Sequence, residues 1–99
     1  MDMPEVLGSR IARESCGFWA STGRKYVLTF ERPIYDGIPE RSALFPCFLQ
    51  EEERGDRCIL HAEYHDGSTE PFEGFAELLF RFSARLITMV HETCDEEAN

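Results

Sequence analysis

The chain has 99 residues, with 19 acidic against 10 basic side chains and a net charge of −9. Bulk nucleic-acid binding needs a positive footprint to meet the phosphates, and an anionic membrane surface asks for the same, so neither partner is expected. Hydrophobic residues make up 42% of the chain, which argues against general disorder and supports one packed core.

The expectation is therefore one domain over residues 1–99, with residues 1–3 and 95–99 frayed. Four cysteines occur, at Cys16, Cys47, Cys58 and Cys94. The stretch Met1–Arg13 has no basic start followed by an apolar run. The thiols are accordingly expected to be reduced and the protein cytoplasmic. No stretch approaches the ~20 apolar residues of a membrane span.

In chain order, residues 4–16 (PEVLGSRIARESC) are compatible with a short N-terminal helix that opens at Pro4, with Val6, Leu7 and Ile11 on one face. Residues 17–23 follow as a short strand or turn, with Trp19 expected to anchor the core. Over Arg24–Arg32, Tyr26, Leu28 and Phe30 alternate with polar residues, the mark of a half-buried strand. Residues 33–46 contain three prolines and one Asp-Gly, so a loop or interrupted edge strand is expected. Yet this loop carries Ile34, Tyr35, Ile38, Leu44 and Phe45. Leu44–Glu53 and Arg57–His65 read as two further strands joined in a hairpin across Gly55-Asp56.

Past Gly74, the residues Phe75, Leu78, Leu79, Phe82, Leu86, Met89 and Val90 recur at helical spacing and predict a long C-terminal helix. Ala76, Phe80, Ala84 and Ile87 form a second apolar stripe beside the first. Together they span roughly 200°, wider than the ~100° that one sheet covers. The fold class expected is α+β: three or four antiparallel strands in meander order, with this helix packed on one face.

The surplus apolar stripe suggests a non-catalytic protein-interaction module, such as an adaptor, assembly factor or inhibitor. Its partner would be another protein or a second copy of the chain. Phe80, Ile87 and Ala84 would supply the helix surface, and Ile34, Tyr35 and Ile38 the loop surface. The run Glu51-Glu52-Glu53 would face basic side chains of the partner. The alternative is a small metal-binding protein or enzyme. Cys58, His61 and His65 form C-x2-H-x3-H, and His61, Glu63 and His65 would share one strand face. No residue pattern nominates a nucleophile or a cofactor, so neither a catalytic residue nor a cofactor is assigned.

Overall fold

The computed structural model describes residues 9–35 and 44–92. Six strands and one helix occupy them: β1 (Ser9–Trp19), β2 (Lys25–Tyr35), β3 (Phe48–Arg54), β4 (Arg57–Glu63), β5 (Thr69–Phe72), α1 (Gly74–Phe82) and β6 (Arg85–His91). The strands form one mixed sheet in the order β5-β4-β3-β1-β2-β6. All neighbours are antiparallel except β1 and β3, which run parallel over Gly17–Trp19 and Phe48–Gln50.

This architecture corrects the expected fold class. The protein is mostly sheet, with six strands rather than three or four, and β1 interrupts the meander by lying between β2 and β3. The long C-terminal helix is absent: α1 has only nine residues. It stops at Ser83, whose backbone is left-handed (φ 52°). The Ser83 N–H donates to the Phe80 carbonyl (3.2 Å) and the Ala84 N–H to the Leu79 carbonyl (2.9 Å), which closes the helix end. Beyond it, Ile87, Thr88 and Val90 are β-branched and favour the extended chain. The N-terminal helix is overturned as well, because residues 9–19 are strand β1.

Alternation sorts the two faces of the sheet. Cys16 and Phe18 from β1, Leu28 and Phe30 from β2, Leu49 from β3, Leu60 and Ala62 from β4 and Phe72 from β5 are buried together. Leu78 and Phe82 of α1 pack on that face, as does Phe45 from the irregular segment before β3. Phe45 and Phe82 meet edge to face, with ring centres 4.9 Å apart.

One charged pair belongs to the same face. Arg32 is 3% exposed. Its guanidinium lies over the rings of Phe45 (5.2 Å) and Phe82 (5.9 Å) and bonds Glu14 Oε2 through both Nε and Nη2, at 2.9 and 2.8 Å.

The predicted β3–β4 hairpin is present, turning through Gly55-Asp56. Gly55, at φ +64°, takes the first central position, which a type II′ turn reserves for glycine. β2 runs on through Pro33. Hydrogen-bonding directions alternate along the strand, so the Pro33 nitrogen points away from β1. It faces the side where β6 has already ended at Arg85, opposite Glu31, and no ladder bond is lost there.

The opposite face has no helix on it among the described residues. Trp19, expected in the core, sits here 41% exposed, edge-on to Phe48 (5.3 Å) with the Lys25 ammonium 4.7 Å above its ring. Among the described residues, no helix is long and apolar enough to cross a membrane.

Candidate functional site

Among the described residues, a concavity of about 740 Å³ lies between β5, the β4–β5 turn and α1. The turn is closed by two bonds, from the Gly67 N–H to the Tyr64 carbonyl and from the Tyr64 N–H to the Ser68 carbonyl. Asp66 caps it by accepting from the Ser68 N–H (2.9 Å) and hydroxyl (2.6 Å), which hold its carboxyl below the usual range. β5 then carries Glu70 and Phe72 along one wall.

α1 forms the other wall because its period sends Leu78 and Phe82 to the core and Phe80 outward. Phe80 is 85% exposed at the rim, and Leu44, 55% exposed, lines the cleft as well. Between the walls, Arg81 bonds Glu70 Oε2 at 2.6 Å and lies over Phe72 and Phe82. The Tyr64 hydroxyl donates to Glu70 Oε1 at 2.7 Å.

The titration of these groups follows from that geometry. The Arg81 hydrogen bond, against burial and with help from Tyr64, keeps the Glu70 carboxyl below 4.5. Burial, and secondly the bond to Glu70, push the Tyr64 hydroxyl upward, so it stays protonated. The lining thus holds three carboxylates (Asp66, Glu70 and Glu77) against one guanidinium (Arg81), a net negative wall beside two exposed apolar side chains.

Of the expected binding residues whose side chains the structure describes, Phe80 lines this cleft and the others do not. Ile87 and Ala84 are not helical. Ala84 links α1 to β6 and packs against the core, while Ile87 is half-buried in β6. Ile34 is half-buried in β2 and Tyr35 ends that strand; Ile38 lies outside the described residues.

The glutamate run is divided by the pleat. Glu51 accepts from the Ser21 N–H (2.9 Å) and the Cys58 thiol (3.0 Å). Glu52 holds Arg54 and the His61 ring, at 2.6 Å from Nε2. Glu53 is exposed opposite Cys58. The Ser21 and Cys58 bonds keep the Glu51 carboxyl below 4.5, and the bond to Glu51 pushes the Cys58 thiol up to about 11.

The histidine reading is not assembled. His61 sits on the outer face opposite Gln50 and Glu63 opposite Phe48, whereas His65 falls beyond the end of β4 in the turn. Among the described residues, no group of three or more His, Cys, Asp or Glu side chains converges as a cation would require.

Sequence reasoning missed Tyr64, Asp66, Glu70 and Arg81 as a group. The usable signal was Thr69-Glu70-Pro71-Phe72, a short stretch after a His-Asp-Gly-Ser turn that alternates well enough to be a fifth strand. No family model matches this sequence, and comparisons with curated proteins and with solved structures return no match.

Proposed function

We propose that this chain is a non-catalytic protein-interaction module that captures a segment of a partner protein in the cleft between α1 and β5. The observation that carries the reading is Phe80, a phenylalanine 85% exposed on the rim of a cleft whose wall is acidic. Burying such a side chain against a partner would contribute roughly 1.5–3 kcal/mol. Aromatic anchors of this kind dominate binding energies at protein interfaces.

The chemistry of the wall describes the partner. Leu44 and Phe80 would grip a large apolar side chain. Asp66, Glu70 and Glu77 would attract an Arg or Lys beside it, and the overall charge of −9 would steer a basic partner toward the chain.

The test is selection of a displayed random-peptide library on the immobilised protein, followed by calorimetry on individual peptides. The expected peptides combine an aromatic or aliphatic anchor with neighbouring Arg or Lys. Their affinity should fall at least tenfold for Phe80→Ser and weaken as salt is raised. Because Phe80 is so exposed, Phe80→Ser should change folding stability by no more than about 0.5 kcal/mol. Peptides that bind the wild type and Phe80→Ser equally would overturn the reading, as would a selection that enriches nothing.

A further inference from the structure

The β6 strand ends the sheet, and its outer edge has no partner strand among the described residues. The hydrogen-bond register shows what that edge offers. The Glu92 N–H bonds the Lys25 carbonyl (2.8 Å), while Tyr26 and His91 stand opposite each other. In an antiparallel ladder this makes Tyr26 and His91 a non-hydrogen-bonded pair and Val27 and Val90 a hydrogen-bonded one. Val90 and Thr88 therefore point their backbone groups at β2. Met89 and His91 point theirs, N–H and C=O alike, out of the sheet.

The side chains leave that edge unguarded. Leu86–Val90 reads Leu-Ile-Thr-Met-Val, with no charge, no proline and strong β preference. Met89 is 46% and Val90 58% exposed. Natural edge strands usually carry Lys, Pro or a bulge to prevent pairing. β6 has only a bulge, placed between the Thr29 and Phe30 registers, and it leaves Thr88–His91 regular.

We infer that β6 pairs antiparallel with β6 of a second copy of this chain, about a two-fold axis at Met89, to make one continuous twelve-stranded sheet across the dimer. This places Met89 opposite Met89 of the second copy, Thr88 opposite Val90, and Ile87 opposite His91. Charge selects this surface for self-association. Two chains of net charge −9 repel over most approaches, but Leu86–Val90 presents no charge. The nearby Glu31 is already held between Arg85 (2.7 Å) and Arg13 (3.2 Å). An antiparallel backbone edge is also complementary to its own copy, with no further demand on sequence.

Sedimentation equilibrium on the full chain, from roughly 1 to 500 μM, is the primary test, since a single strand pair buries less than a standard interface. Dimerisation is expected in the wild type. Met89→Pro removes only an outward-facing donor, so it should leave the fold intact and weaken the dimer at least tenfold. Val90→Lys is the second variant in case the proline disturbs folding, and it should act in the same direction. Met89→Cys should form a disulfide-linked dimer on mild oxidation, because Cα atoms of a hydrogen-bonded pair are about 5.5 Å apart. Glu53→Cys should not. A wild type that stays monomeric throughout overturns the inference. So does a dimer that neither Met89→Pro nor Val90→Lys weakens, or that Met89→Cys fails to lock. Phe80→Ser should leave dimerisation unchanged, so this test and the cleft test fail independently.

Discussion

Arg32 and Glu14 allow a prediction in which the two halves of one ion pair behave oppositely. Removing Glu14 leaves a guanidinium that is 3% exposed, enclosed by Phe45 and Phe82, with its charge uncompensated. Breaking a buried pair in this way costs about 3–5 kcal/mol. The Glu14 side chain keeps 27% exposure, so water screens part of the interaction and Glu14→Ala should fall at the low end, about 3 kcal/mol. Arg32→Met instead keeps the aliphatic stem against both rings and removes the buried charge. Its cost should be smaller, about 1 kcal/mol, because the carboxylate left behind on Glu14 keeps 27% exposure and can be hydrated, whereas the enclosed guanidinium cannot. Urea unfolding followed by tryptophan fluorescence and by circular dichroism measures both. In thermal terms Glu14→Ala should lower Tm by roughly 12 °C or more, at about 4–8 °C per kcal/mol for a domain of this size. If Arg32→Met proves as costly as Glu14→Ala, the guanidinium is contributing net stability and the reasoning is wrong.

Acid stability should depend on Glu51. Its folded carboxyl lies below 4.5, so its contribution is complete above that value and is lost as pH falls through the lower folded one. Glu51→Gln should flatten the stability profile below about pH 4.5 and should not steepen it, as read by urea midpoints across pH. Thiol chemistry should follow burial and pairing: Cys16 is pushed up to about 12, mainly by burial, and Cys58 to about 11. Mass spectrometry after native alkylation near pH 8 should find both cysteines largely unmodified, and rapid labelling of Cys16 would contradict its place in the core. Gly17 lets the Phe48 ring lie close over the sheet, and a Cβ there would come 3.0 Å from Cδ1. Gly17→Ala should therefore destabilise by about 1 kcal/mol, and combining it with Phe48→Ala should remove that increment.

The parts of the fold that were legible are those whose alternation is clean. Tyr26, Leu28 and Phe30 marked β2, while Leu60, Ala62 and Tyr64 marked β4; the turn at Gly55-Asp56 joined β3 to β4. The first part of β1, within residues 4–16, does not show a strand's alternation because its inward row contains Glu14, a charged residue that breaks the apolar period. The partner Arg32, eighteen residues away, pairs with it at the margin of the core. Residues Phe75 to Val90 carry the pattern of one helix because Leu86, Met89 and Val90 happen to continue the spacing of Leu78, Leu79 and Phe82. The break occurs at Ser83, a non-glycine residue in the left-handed region, which no local sequence signal announces. Within the candidate site, Phe80 was legible as surplus apolar surface. Glu70 and Arg81 were not, because their pairing depends on β5 and α1 meeting across the cleft.

The same correction changes what the surplus apolar surface means. A long helix would have gathered Phe80, Ala84 and Ile87 into a single stripe for a single partner. The observed break at Ser83 sends these residues to different places. Phe80 stays on α1 at the cleft, Ala84 joins the core margin, and Ile87 enters an edge strand beside Met89 and Val90. One apolar face thus becomes two surfaces with different recognition chemistry. The cleft offers side-chain anchors and carboxylates, which suit a basic segment of another protein. The edge offers backbone donors and acceptors with no charge, which suit a strand from a second copy. The two surfaces do not share a residue, so a dimer built on β6 would present two clefts, one on each copy. A partner carrying two basic-apolar segments would then bind with an avidity that Met89→Pro removes while leaving the affinity for a single segment intact.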